Sequence, residues 1–245
     1  MGKDNSANHK KRNVKHPLKQ CHSGENRNPC LSLSYEKSRG NLDTGFRRYD
    51  KADVDKSVKA GSSAPAVFLD RDGTVIFDKN YLSSPDRVKV YTGAAESINK
   101  LRKAGFKIII VTNQSGIARG MITEKELAAV NKRFISLLKK QGASIDGLYY
   151  CPHIDEDNCS CRKPKTGMVM RAAKEHNIDL SKSYTVGDHI RDYMLGSNMG
   201  GKGLFVLTGH GKGQQKKLKK EKIQPFAVCK TIKQAAEKIL KDNGK

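Results

Sequence analysis

From Pro65 onward, short wholly apolar runs alternate with stretches whose apolar residues recur at helical spacing. The first run, Ala66-Val-Phe-Leu69, is β-branched and aromatic and ends at Asp70-Arg-Asp-Gly-Thr74, which predicts a buried strand running into a turn. Ala94 to Ala104 has a helical pattern and closes on Gly105, and Ile108-Ile-Ile-Val111 follows it, continuous as in a parallel strand covered on both faces. Thr123 with Glu126 three residues later forms a capping-box pattern, opening a helix that carries Leu127, Val130, Phe134, Leu137 and Leu138. Leu148-Tyr-Tyr150 reads as a third strand and Gly167 to His176 as a helix. Tyr184-Thr-Val186 reads as a strand ending at Gly187-Asp188, Gly203 to Leu207 as another, and Lys230 to Leu240 as a closing helix. Strands alternating with helices predict an α/β fold, a doubly wound parallel sheet with right-handed crossovers. Ligands of such sheets bind at the carboxyl ends of the strands, where Asp70, Asp72, Thr112 and Asp188 all fall.

Residues 1–63 show no such pattern. They are rich in Lys, Arg, Asn, Ser and Gly, which predicts a disordered or loosely packed basic extension before one globular domain over residues 64–241. Two of its pieces, Cys21 to Pro29 and Thr44 to Asp50, resemble the peptide encoded by palindromic repeats inserted into some bacterial reading frames, which implies an extension without catalytic work. The net charge of +22 would suit a polyanionic partner, but much of it sits in this extension and in the run from Lys212 to Lys222, a pattern typical of solvated surface. No apolar stretch is long enough for a membrane span and the N-terminus has no apolar leader, so the expectation is a soluble cytoplasmic protein.

Two aspartates at spacing two after a buried strand can be no more than turn residues. They can also do phosphoryl transfer, with Asp70 as nucleophile and Asp72 carrying the proton. The difficulty is repulsion: two like charges at about 4 Å cost roughly 4 kcal/mol at an effective dielectric of 20, and a phosphate dianion doubles it. Such a site needs cations. Magnesium, an oxygen-seeking ion, could be held by Asp70, Asp188 and the backbone carbonyl of Asp72. Lys163 supplies a second positive charge, and Thr112 can donate a hydrogen bond to the transferring group.

Between the third strand and the helix at Gly167, Cys151-Pro-His-Ile-Asp-Glu-Asp-Asn-Cys-Ser-Cys161 offers three thiolates and an imidazole in one short loop. Cys151, His153, Cys159 and Cys161 suit tetrahedral zinc, and with four protein ligands the metal has no open position, so its job is structural. The remaining cysteines are scattered rather than spaced as a disulfide framework.

Asp70-Arg-Asp-Gly-Thr74, Thr112-Asn-Gln-Ser-Gly116, Arg162-Lys-Pro164 and Val186-Gly-Asp188 resemble the four ordered motifs of the haloacid dehalogenase superfamily. More narrowly, Leu69 to Val75, Val111 to Gly120 and Tyr149-Tyr-Cys-Pro-His153 resemble the bacterial D-glycero-D-manno-heptose 1,7-bisphosphate 7-phosphatases. The resemblance spans roughly Pro65 to Leu240. It implies a compact monomeric enzyme without a large cap domain, with Asp70 as nucleophile, Asp72 as acid/base, Thr112 and Lys163 stabilising the phosphoryl group and Asp188 on magnesium. It also implies that Asp78, Lys79, Asn80, Tyr81, Asn113, Gln114, Ser115 and Arg162 contact the substrate; His189 stands where the family often has Lys and is assigned no role. The implied reaction leaves heptose 1-phosphate, a precursor for lipopolysaccharide core. The short interval between His153 and Cys159 resembles the related histidinol-phosphate phosphatases, which supply the alternative substrate. The non-enzymatic alternative, a zinc-containing nucleic-acid module, does not account for acidic residues at several strand ends, since carboxylates repel a phosphate backbone.

Overall fold

The computed structural model describes residues 31–34 and 63–244. Its frame is a seven-stranded sheet in the order β1-β4-β3-β2-β5-β6-β7. The strands are β1 (Leu31–Ser34), β2 (Ala66–Leu69), β3 (Lys107–Asn113), β4 (Gly147–Cys151), β5 (Tyr184–Gly187), β6 (Lys202–Val206) and β7 (Ala227–Cys229). β2 through β7 are parallel, and β1 pairs antiparallel with β4, Leu31 opposite Tyr150. The rest of residues 1–63, including the two repeat-like pieces, lies outside the described residues apart from Ser63.

Both faces of the sheet are covered, which is why its strands read as continuous apolar runs. Val67 and Leu69 of β2 pack with α1 (Ala94–Lys103), α2 (Glu124–Lys140) and α6 (Ile232–Asp242). Ala66 and Phe68 pack on the other face with α3 (Gly167–His176) and α4 (Ile190–Asn198). Beside them Phe205 holds Leu218 of α5 (Gly211–Lys220) and Ile190.

Local signals explain most boundaries. The Thr123 hydroxyl accepts from the Glu126 amide at 3.2 Å while Glu126 accepts from the Thr123 amide at 2.7 Å, so the capping box starts α2 as the spacing predicts. α1 runs out at Gly105, whose φ of +90° suits a residue without a side chain. The closing helix is displaced from the expected 230–240 to Ile232–Asp242, because the Thr231 side chain caps it. The lysine run from Lys212, expected as solvated surface, is helical through Lys220: Leu218 is buried, and Lys212, Lys216, Lys217, Lys219 and Lys220 stay exposed. α4 and β7 have no counterpart in the sequence pattern, nor does β1, which falls within the extension expected to be disordered or loosely packed yet pairs with β4.

Candidate active site and metal cluster

β2, β3 and β5 are neighbours in the sheet, with Leu69 opposite both Ile110 and Val186. The residues just beyond their carboxyl ends therefore converge: Asp70 after β2, Thr112 and Asn113 ending β3, and Asp188 after β5. The Asp70 amide still donates to the Val186 carbonyl at 2.9 Å, which prolongs the strand geometry by one residue and fixes the carboxylate.

At the centre lies Lys163, 3% exposed, which arrives from the loop after the cysteine cluster. Its ammonium donates to Asp70 Oδ1 at 2.5 Å, to Asp192 Oδ1 at 2.5 Å and to the Val111 carbonyl at 2.8 Å. The loop is pinned by an exchange with Asn113, whose side chain donates to the Lys163 carbonyl at 3.2 Å and accepts from its amide at 3.1 Å. Burial alone would depress the ammonium pKa, but the charges of Asp192 and Asp70 outweigh it and hold Lys163 protonated.

One lysine does not neutralise its surroundings. Carboxylate oxygens of Asp70, Asp188 and Asp192 lie within 4.8 Å of one another, all three buried. Burial pushes Asp70 well above the usual carboxylate range; Lys163 opposes it, while Asp192, Asp188 and Asp72 add to it. Burial and Asp192 likewise push Asp188 up to about 7, although the His210 amide donates to its Oδ2 at 2.7 Å. Crowded, under-compensated hard oxygens are the donor set that magnesium accepts, so the residues present fit that ion. The Asp188 carboxylate is also wedged between two glycines. A Cβ on Gly73 (φ +78°) or on Gly209 (φ +49°) would stand 2.1 Å from its Oδ2.

Asp72 is oriented differently. Its Oδ2 accepts from Gln114 Nε2 at 2.8 Å and from Thr112 Oγ1 at 3.4 Å, and pairs with the Arg71 guanidinium at 2.8 Å. Its carboxylate is thus outside the Asp70, Asp188 and Asp192 cluster, leaving its backbone carbonyl as the group a metal could use. Together these side chains line a cleft of about 460 Å³ that also includes Asp78, Asn80, Tyr81, Ser115 and Arg162. Lys79 is exposed and is not part of the lining. His189, left without a role from sequence, caps α4 by accepting from the Arg191 amide. Arg162 donates to the His153 carbonyl at 3.0 Å and to Asp155 at 2.8 Å. His210, at the start of α5, pairs with Asp78 at 3.0 Å across the cleft mouth.

Asp192 and Arg71, which line the cleft and bond to Lys163 and Asp72, are the site residues that sequence reasoning missed. Asp192 had a signal: His189 to Asp192 is a capping-box spacing, and the Asp192 carboxylate accepts from the His189 amide at 3.0 Å.

A second cluster adjoins the cleft. The sulfurs of Cys151, Cys159 and Cys161 are 3.3 to 3.6 Å apart, and His153 Nδ1 lies 3.3 Å from Cys161 and 3.6 Å from Cys151. A disulfide needs about 2.05 Å between sulfurs. A tetrahedron on zinc, with zinc–sulfur bonds of about 2.3 Å, has sulfur–sulfur edges of about 3.8 Å, close to what is seen. The Cys151 thiol is pushed up by its hydrogen bond with Cys161 and by burial, as befits sulfurs packed together with nothing positive among them. The cluster fits a closed zinc site.

The comparisons with known proteins agree with this geometry. The haloacid dehalogenase-like hydrolase family model matches residues 67–197. The D-glycero-beta-D-manno-heptose-1,7-bisphosphate 7-phosphatase of Yersinia pestis is 42% identical over 156 residues, 60% of this chain and 82% of the relative. The enzyme of the same name from Escherichia coli (strain K12) is 39% identical over 156 residues, 60% of this chain and 81% of the relative. Among solved structures, the D,D-heptose 1.7-bisphosphate phosphatase from B. bronchiseptica, complexed with magnesium and phosphate, is 32% identical with a TM-score of 0.65, over 73% of this chain and 99% of that one. A six-stranded parallel sheet carrying Asp70 and Asp188 at its carboxyl edge, a family model over more than half of the chain and relatives near 40% identity have one reading: this chain belongs to the haloacid dehalogenase-like hydrolases.

Proposed function

We propose that the chain is a magnesium-dependent phosphomonoesterase that removes the 7-phosphate of D-glycero-D-manno-heptose 1,7-bisphosphate through an aspartyl phosphate on Asp70. The observation that carries this reading is the Lys163 ammonium seated between Asp70 and Asp192 beside Asp188, at the carboxyl edge of the sheet. The named relatives supply the substrate.

Asp70 is buried and held by its backbone against β5, so its carboxylate can meet phosphorus without rotating. Burial favours its protonated form while a nucleophile must be ionised; Lys163 opposes that shift without overcoming it, so the site needs a further cation. Asp70, Asp188 and the Asp72 carbonyl would hold magnesium, which would supply the positive charge that one lysine cannot. An Asp70 oxygen bonds to phosphorus as the bond to the sugar oxygen breaks, and Asp72 gives its proton to that oxygen. Water then attacks the aspartyl phosphate, Asp72 takes the proton back, and Asp70 is regenerated. Thr112 and Lys163 stand at the same end of the sheet, where exchanging one of their present acceptors for a phosphoryl oxygen would stabilise the transferring group.

Cys151, His153, Cys159 and Cys161 would hold zinc, which would fix the loop; Arg162, bonded to the His153 carbonyl, lines the cleft with Asp78, Asn80, Tyr81, Asn113 and Ser115 to meet the substrate. The enzyme works as a cytoplasmic monomer, residues 1–63 taking no part in the chemistry. The test is phosphate release with magnesium from heptose 1,7-bisphosphate and from histidinol phosphate. Preference for the heptose supports the proposal; preference for histidinol phosphate keeps the mechanism and replaces the substrate; release from neither overturns both.

A further inference from the structure

Arg71 stands between the two catalytic aspartates in sequence and is fully buried, an expensive place for a guanidinium. Its backbone carbonyl closes the turn by accepting from the Val75 and Ile76 amides at 3.0 and 2.9 Å, a task any residue could perform. Its side chain does something narrower. Nη1 donates to Asn131 Oδ1 at 2.6 Å, anchoring the guanidinium to the buried face of α2, while Nε and Nη2 reach Asp72 Oδ2 at 3.0 and 2.8 Å. Gln114 and Thr112 converge on the same Oδ2 atom. Among the described residues, the ion pair and hydrogen bonds from Arg71, Gln114 and Thr112 thus all end on one of the two oxygens of this carboxylate.

A proton on Oδ2 would face the donor-only N–H groups of Arg71 and Gln114. We propose that Arg71, tethered by Asn131 and seconded by Gln114, is a positioning residue that occupies Oδ2 of Asp72, so that Oδ1 is the oxygen that carries the proton to and from the reacting group. The inference rests on the acid/base reading of Asp72. In the first half-reaction the proton leaves Oδ1 for the sugar oxygen as its bond to phosphorus breaks; in the second, the attacking water returns a proton to Oδ1. Arg71 is fully buried, and its role is exerted through Asp72. It keeps the carboxylate from turning so that the loaded oxygen faces the cleft, into which Asp72 is 22% exposed by its side chain.

Leaving-group chemistry separates this role from mere support. A sugar alkoxide needs a proton to depart, whereas a nitrophenolate does not, and general acid catalysis is worth about 10² to 10⁴ in rate. Arg71→Met should lower kcat by about 10-fold or more on the sugar bisphosphate and by only a few-fold on p-nitrophenyl phosphate. In an Asp72→Asn background the same replacement should cost nothing further on the sugar phosphate, since there is no proton left to position. Should Arg71→Met fail to fold, Asn131→Leu, which cuts only the tether, is expected to show the same selectivity at smaller size. Equal losses on both substrates, or a full additional loss in the Asp72→Asn background, would overturn the positioning role. Asp72→Asn itself tells the two failures apart: if it shows the leaving-group selectivity and Arg71→Met does not, only the inference fails, and if it does not, the acid/base reading fails first.

Discussion

Two clusters joined by the Arg162-Lys163 segment gather cation-binding groups in opposite ways. The Asp70, Asp188 and Asp192 cluster is made of hard oxygens, draws on three separate segments of the fold and includes Lys163 as a partial counter-ion. The Cys151, His153, Cys159 and Cys161 cluster is made mostly of soft sulfurs from one short loop and is closed on itself. The first leaves charge uncompensated at a cleft, which is what a site needs if it is to receive both a metal and a phosphate. The second offers four ligands and no open position, so a zinc ion there would hold a loop in place. Arg162 and Lys163, which directly follow Cys161, carry that rigidity into the cleft.

The comparison breaks most sharply at the nucleophile. Asp70→Asn should abolish turnover, by about 10⁴-fold or more, while phosphate-free protein retains its fold and its zinc; a steady-state assay with a zinc determination checks both. Lys163→Met is next. It removes the cation between two buried carboxylates and should lower kcat by about 10²- to 10³-fold. Leaving those carboxylates unpaired should also cost about 3 to 5 kcal/mol of stability, measured by denaturant unfolding. Replacing Cys159 and Cys161 together with Ser should empty the zinc site and lower the melting temperature, raising KM through the slackened Arg162 more than it lowers kcat; unchanged metal content would refute the zinc assignment.

The smallest effect is electrostatic. The Asp188 pKa is raised from its ordinary 3.8 to about 7, so protonation favours the folded chain, and this contribution is lost as pH rises from about 4 to about 7. Metal-free protein should therefore lose melting temperature across that window, magnesium should restore it at pH 7, and Asp188→Asn should flatten the slope. A slope of opposite sign in wild type that persists in the variant would contradict the burial argument.

Much of this was legible in the sequence for physical reasons. A strand buried on both faces cannot hide its apolar run, so β2, β3 and β5 stood out, and with them the residues at their carboxyl ends. The Thr123 capping box declared the start of α2. α4 was not legible because Gly196 and the polar Ser197 and Asn198 blunt its pattern, and its one buried carboxylate, Asp192, looks from sequence like a surface residue. α5 was obscured by its lysines: Leu218 is its single large buried side chain, too little for a helical stripe. Arg71 was passed over because an arginine in a turn is ordinarily exposed, and only the fold shows α2 laid across it.

The wedging of Asp188 has a consequence for how this protein can vary. Alanine, the smallest change open to a glycine, already puts a carbon 2.1 Å from the carboxylate at residue 73 and at residue 209. A library saturated at those two codons should return glycine alone among active clones, even though neither position offers a functional group to the reaction. The space for the carboxylate is written into the chain as two missing methyl groups, and a selection experiment would read that silence as plainly as it reads Asp70.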